Sequence, residues 1–444
     1  MKLTDLFIIA LHVLLAFMIY YFPFLAKLYA TGLIIFVFVV SFFVRDPKML
    51  LYTSAYVVGA EVFTRMSKGL FFYESHKYLI MILALGYIFR RGLKKEAWIF
   101  IFYLVLLIPG IIYTLILEAN NPSFWIESIR KTILFNMAGP LALGLAAMAW
   151  VKERLSLEEF KRLNFWMLMP VITTTIYVIV KTPSLKEIIF YSSANFATSG
   201  GFGPNQVATI LGLGMFASFV LMLTEKNILS RSVYLFFLAL ITYRAFLTFS
   251  RGGTITGIIM ILVFIYASWR SDFKFMRTQS LIGIAVSALI IGVSFYLVTE
   301  ITGGMALNRF TGKNTSGERK EDVTSGRIKI FKAELETFIH HPILGIGVGR
   351  AKIGRLKYLG FRGATHNEIS RLLSEHGIFG LFALMILFFA PLATGALRKN
   401  NLFFYPYFTF WFLTIFHSSM RLVAPAALYG FALLMLYYEE NESS

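Results

Sequence analysis

Apolar blocks of about 17–22 residues recur along almost the whole chain, the length a helix needs to cross a hydrocarbon core. Backbone N–H and C=O groups in lipid must be paired within their own segment, so such blocks fold as helices. Of the 444 residues, 57% are hydrophobic and 15% charged, where a soluble protein carries roughly 25% charged. The expectation is an all-α, polytopic helical membrane protein with about 12–14 transmembrane helices.

The span-length criterion puts spans near residues 6–22, 26–43, 50–64, 76–90, 97–117, 132–151, 163–181, 205–224, 232–248, 254–269, 279–299, 377–394, 402–416 and 422–438. The opening "MKLTDLFIIALHVLLAFMIYYF" has no small-residue cleavage site and reads as a retained first span. Lys and Arg collect in alternate short loops: Arg90, Arg91, Lys94 and Lys95, then Lys152, Arg154, Lys161 and Arg162, then Arg270, Lys274 and Arg277, with Arg398 and Lys399 on the same side. The positive-inside tendency makes that side cytoplasmic, together with both termini. The formal charge of +18 then belongs mostly to span flanks, and no basic tail points to nucleic acid. There is no cysteine, which removes disulfide and thiolate chemistry.

Four segments follow from this reading: 1–194, N-terminal spans; 195–299, spans carrying short polar motifs; 300–376, one large outer loop; and 377–444, C-terminal spans. The outer loop holds 13 Lys or Arg against 8 Asp or Glu, an excess that an anionic ligand would explain. Within it, "NTSGERKEDVTSG" reads as a linker. Ile328, Phe331, Leu335, Phe338 and Ile339 recur at helical spacing and predict an amphipathic helix, ended by Pro342, on the membrane surface or on the spans. "HHPILGIGVGR" reads as a compact turn that packs the loop back on the spans, its glycine spacing being wrong for a dinucleotide fingerprint.

Three places could carry chemistry. In "GATHNEISRLLSEHGIFG", Thr365 and Glu368 match a capping box, making His366 and Asn367 the first helical residues. A helix start disfavours a protonated imidazole, and a neutral histidine is what a general base requires; the alternative is a histidine that only decorates the helix start. In "SRGG", Gly252 and Gly253 permit a tight turn and close backbone approach, and Arg251 either snorkels at a span end or meets an anion. Arg244, a turn deeper, is an intramembrane charge and so a candidate site by default. In "TSGRIKIF", Arg327 falls in the first turn of the loop helix, where a cation opposes the macrodipole unless an anion lies near; solvation is the alternative. Metal chemistry is not expected: the only aspartates are Asp5, Asp46, Asp272 and Asp322, and adjacent His340 and His341 do not share a helix face.

The order "SRGG", "SGR" opening a helix, "HHPILGIGVG", then "THN" with "SEHGIFG" entering a span resembles the O-antigen ligase and polymerase family, as does "GGFGPNQVA" (200–208) at a span start. The similarity covers roughly residues 195–438. It implies an inner-membrane glycosyltransferase whose large loop and active site face the periplasm. The implied donor is an undecaprenyl-pyrophosphate-linked glycan and the implied acceptor is lipid A–core (ligase) or a second lipid-linked glycan (polymerase), the latter with a chain-length regulator as partner. No cofactor or metal is implied. By the same resemblance Arg251 and Arg327 match pyrophosphate-binding arginines and His366 the essential histidine, while Asn205, Asn367 and Glu375 match motif positions without assigned roles and are carried as substrate-binding candidates with Arg244. One departure is the possible fourteen spans, against about twelve in typical ligases, and it bears on the choice of ligase over polymerase and not on the family. A transporter or flippase of a lipid-linked or anionic solute is the reading from another class; it expects polar, broken spans near the midplane.

Overall fold

The computed structural model describes residues 3–120, 128–324, 326–360 and 365–437. The first half forms α1 (Leu3–Tyr21), α2 (Leu25–Phe43), α3 (Pro47–Met66), α4 (Ser75–Arg91), α5 (Trp98–Asn120), α6 (Ile129–Trp150) and α7 (Leu157–Lys181). α8 (Pro204–Thr224), α9 (Ile228–Leu247), α10 (Arg251–Arg270) and α11 (Lys274–Ile301) follow. The loop segment carries α12 (Met305–Phe310), α13 (Arg327–His340), α14 (Ala351–Leu359) and α15 (Glu368–His376). α16 (Ile378–Ala393), α17 (Phe404–His417) and α18 (Ala424–Ala432) close the chain. Each of the fourteen expected spans coincides with a helix, and among the described residues nine helices are long and apolar enough to cross a membrane. The protein is an all-α, multi-pass membrane protein.

The last span is shorter than expected. α18 stops at Ala432, and Met435–Leu436 pairs as a two-residue parallel strand with Arg154–Leu155; Tyr438, the end of the expected span, lies outside the described residues. Every residue of α18 is buried, so a long lipid-facing helix is not needed there. Both described ends, Leu3 and Tyr437, lie at the end of the bundle opposite the loop segment, because the helices between them alternate in direction.

α8 is the central helix, buried along its whole length and packed on α7, α9 and α10. Its crossing with α10 is made of glycine. A Cβ on Gly212 would sit 2.3 Å from the Gly253 carbonyl oxygen, and one on Gly253 2.3 Å from the Ala208 carbonyl carbon. Gly257 closes on Gly212 in the same way, at 2.6 Å. Small residues one turn apart let membrane helices touch backbone to backbone. "SRGG" is therefore no tight turn, as the sequence suggested: Arg251, Gly252 and Gly253 are already helical, and the glycines serve close approach alone.

In the loop, Gly345, Gly347 and Gly349 all have positive φ (65°, 89° and 77°). The turn they make docks as expected: Ile346 N–H donates to Ser374 O (2.9 Å) and Val348 N–H to Gly110 O on α5 (3.3 Å). α13 forms where expected, ahead of Pro342. Its buried residues are Ile330, Ala333, Glu334 and Thr337, while Ile328 and Ile339 of the apolar stripe are 52% and 65% exposed. The reason is Glu334, whose carboxylate takes Arg355 of α14 and Ser370 of α15. That buried ionic contact turns Glu334 inward, while Phe331, Leu335 and Phe338 stay half-buried and Ile328 and Ile339 point outward, which suits a helix lying at a bilayer surface.

Replacing Gly253 by leucine would force the α8–α10 crossing apart at a cost of order 1–3 kcal/mol. The expected result is a lower melting temperature of the purified protein by detergent-phase thermal unfolding, with Gly292→Ala on α11, where no atom lies within 4 Å of the added Cβ, leaving it unchanged.

Candidate active site

Two helix starts define the site. Pro204 opens α8 and places Asn205 in its first turn; Arg251 is the first residue of α10. Ser250 Oγ donates to Asn205 Oδ1 at 2.8 Å and ties the two starts together. A Cβ on Gly252 would meet the His417 ring at 2.5 Å, so this glycine admits the end of α17 to the same place. The loop segment covers it. Arg251 donates to the Val323 carbonyl. Asp322 accepts from the N–H groups of Thr324 (2.8 Å) and Gly326 (2.6 Å), and this turn delivers Arg327 as the first residue of α13; Ser325 within it lies outside the described residues.

Together these elements enclose a cavity of about 690 Å³. Asn205, Arg251, Arg327, His366 and Asn367, far apart in sequence, all line it. Arg309 of α12 joins them, its Nε donating to Phe249 O at 3.0 Å. No carboxylate is among the lining residues. Burial, and then the like charges of Arg251 and Arg327, push Arg309 down to about 10; burial with Arg251 and Arg421 lowers Arg327. Among the described residues these three guanidiniums have no counter-ion, which makes a site for a multiply charged anion. Toward the spans the lining turns apolar, with Ile255, Ile259, Leu413 and Phe416.

His366 is not helical, as the capping-box reading required. Asn367 is the N-cap of α15, its Oδ1 accepting from Ile369 N–H (2.9 Å) and Ser370 N–H (3.2 Å), while Thr365 turns away to Glu334. Asparagine in an extended conformation caps at least as well as threonine, so the helix begins one residue beyond the expected pair. Gly363 and Ala364 of the same motif lie outside the described residues. The imidazole is nonetheless held neutral. Burial lowers its pKa to about 4, assisted by the cations of Arg421 and Arg327, with the main chain of His417 pulling slightly the other way. Its Nδ1 makes no hydrogen bond of good geometry among the described residues.

Behind His366 lies a second cavity of about 680 Å³. Glu375 lines this one, paired with Arg371 at 2.7 Å, and is not brought to Arg251. Arg244 lines neither cavity; it is buried and donates to Thr182 Oγ1 (2.6 Å) and Thr198 O (3.0 Å), locking α9 to α7 and the turn before α8. Its intramembrane charge is met by backbone and hydroxyl oxygens instead of substrate.

Sequence reasoning missed the residues that brace His366. Arg421 donates to Thr365 O at 2.9 Å and Ser419 N–H to His366 O at 3.1 Å. That turn is held in its own right from α3: Arg65 donates to Arg421 O (2.9 Å), and Glu61 accepts from Val423 N–H (2.7 Å) while pairing with Arg65 at 2.6 Å. Arg421, a cation at the loop end of the bundle like Arg251, and the Glu61–Arg65 pair inside an apolar run carried the same signals that marked Arg251 and Arg244.

Residues 234–385 match the family model for O-antigen ligase. This segment runs from α9 into α16, and the match agrees with the resemblance read from the motif order. No curated protein matches the chain.

Because His366 sits beside two guanidiniums, it should remain neutral as pH falls through 6.5 and accept a proton only near pH 4. Diethylpyrocarbonate, which modifies neutral imidazole, read out at His366 by peptide mass spectrometry, should give a midpoint near 4. Arg421→Ala should move that midpoint upward, since it removes a cation; a midpoint at the ordinary histidine value in the parent protein would contradict the burial described.

Proposed function

We propose that the protein is an O-antigen ligase-type glycosyltransferase that moves a glycan from undecaprenyl pyrophosphate to lipid A–core at the periplasmic face of the bacterial inner membrane. The observation that carries this reading is the pairing, in one cavity, of three guanidiniums with no carboxylate and an apolar floor formed by Ile255, Ile259, Leu413 and Phe416. A lipid pyrophosphate has the matching shape: a charged head for Arg251, Arg309 and Arg327, and an isoprenoid tail for the floor. The family match over residues 234–385 supports the same class of chemistry.

The acceptor hydroxyl attacks the anomeric carbon on the face opposite the pyrophosphate, giving inversion. A new C–O bond forms as the bond to the pyrophosphate oxygen breaks, and His366 takes the hydroxyl proton. Undecaprenyl pyrophosphate leaves with the electron pair and one more negative charge, which the arginines stabilise; such preorganised charge is worth about 10²–10³-fold and general-base help roughly 10²–10⁴-fold. The guanidiniums already supply the countercharge a metal would bring, so the reaction is metal-independent. Donor binding also prepares the base: a pyrophosphate on Arg327 screens one of the cations that suppress His366. Asn205 and Asn367 hold the two helix starts that shape the cavity, with their polar ends available to the sugar.

The test is transfer of a radiolabelled glycan from undecaprenyl pyrophosphate by the purified protein in EDTA, with lipid A–core and a second lipid-linked glycan each offered as acceptor. Arg251→Ala, Arg327→Ala and His366→Ala should each lower the rate by about 10²-fold or more. Transfer that needs a divalent metal, or that survives these substitutions, would sink the proposal, and use of the second acceptor alone would make the protein a polymerase.

A further inference from the structure

Two cavities of nearly equal size, about 690 and 680 Å³, stand back to back at the loop end of the bundle. In three places one short stretch of chain lines both cavities. In α8, Asn205 lines the first cavity and Gln206 the second; before α15, His366 lines the first and Thr365 the second; after α17, His417 lines the first and Arg421 the second. A reaction between two large substrates needs such an arrangement, one chamber for each with the base at the divide.

The second chamber's charges are not balanced. Its carboxylates, Glu368 and Glu375, share the one guanidinium of Arg371, with Glu368 also accepting from Ser419, so this trio carries a single negative charge against the free cations. Arg355 is paired with Glu334, and Lys77 with Glu74. Three lining cations, Lys131, Lys352 and Arg421, make no ion pair among the described residues. A chamber of this size is of the order that encloses a small ligand, and its uncompensated charge favours an anionic one.

We propose that the second cavity is the acceptor site and that it selects a glycan bearing an anionic group, phosphate or carboxylate, held by Arg421, Lys131 and Lys352. This rests on the transferase reading above and adds the acceptor's chemical class to it. The arrangement also couples acceptor binding to the base. The charged groups around His366 are Arg327 from α13, Arg421 from the turn after α17, His417 at the end of α17, and Glu368, whose charge is spent on Arg371 and Ser419. An anion on Arg421 removes the second cation that holds His366 unprotonated, as the donor pyrophosphate removes the first. The base then reaches its full strength only when both chambers are filled.

Binding tests this without requiring turnover. The probes are a delipidated, phosphorylated core oligosaccharide, the same oligosaccharide after dephosphorylation, a uronate-containing oligosaccharide of similar length, and geranyl pyrophosphate for the donor cavity, each titrated onto the purified full-length protein by calorimetry. The phosphorylated or the uronate probe should bind at least tenfold more tightly than the neutral one, and which of the two binds identifies the anion. Lys131→Ala/Lys352→Ala should abolish that preference and leave geranyl pyrophosphate binding intact, which also certifies the fold. Arg251→Ala/Arg327→Ala should do the reverse. Equal affinity for charged and neutral oligosaccharides, or a preference that survives the double lysine substitution, would overturn the proposal. Failure of geranyl pyrophosphate to bind the parent protein would instead count against the donor reading.

Discussion

Three guanidiniums that share a cavity with no carboxylate between them set the terms for the rest of the molecule. Like charges repel, and burial strengthens the repulsion because less water screens it. Two of the three are also placed at the first residue of a helix, Arg251 on α10 and Arg327 on α13, where the macrodipole adds further positive potential. Every local rule is against this placement in the empty protein, and a bound polyanion reverses all of them at once. Rigid packing must hold the cations together meanwhile. The glycine crossing of α8 and α10, and the Ser250–Asn205 hydrogen bond above it, provide that packing.

His366 depends on a second, more distant support. The turn after α17 holds its main chain, and the buried Glu61–Arg65 pair of α3 holds that turn. A buried ion pair contributes little net stability against an apolar replacement, yet losing one partner leaves a costly lone charge. Such a pair is better understood through what its spare hydrogen bonds fix. Here they fix the backbone of residues 421–423, so spans that lie outside the matched segment 234–385 take part in the geometry of the site.

Much of this was legible in the chain itself. Span length located all fourteen helices, because apolar runs interrupted by charge are governed by the bilayer and not by tertiary detail. Arg251, Arg327 and His366 stood out because each breaks a local rule, and the fold brings those three into one cavity. Arg244 breaks the same rule for a structural reason, which only its partners Thr182 and Thr198 reveal. Periodicity located α13, but it registers apolar residues and cannot register that Glu334 would find Arg355 across the loop. The cap of α15 went to Asn367 and not Thr365, a choice between two good cappers two residues apart that tertiary contacts decide. Arg309 sits in a short polar stretch without periodicity, and only three-dimensional convergence marks it.

The central claim is that one cavity receives the lipid pyrophosphate and that His366 lines that same cavity, at its boundary with the second. An electron cryomicroscopy structure of the protein in nanodiscs with undecaprenyl pyrophosphate tests it most directly. The expected density places the two phosphates within hydrogen-bonding reach of Arg251, Arg309 and Arg327, with the isoprenoid along Ile255, Ile259 and Leu413. Density for the pyrophosphate in the chamber lined by Lys131 and Lys352, or its absence from the arginine cavity at saturating lipid, would contradict the claim.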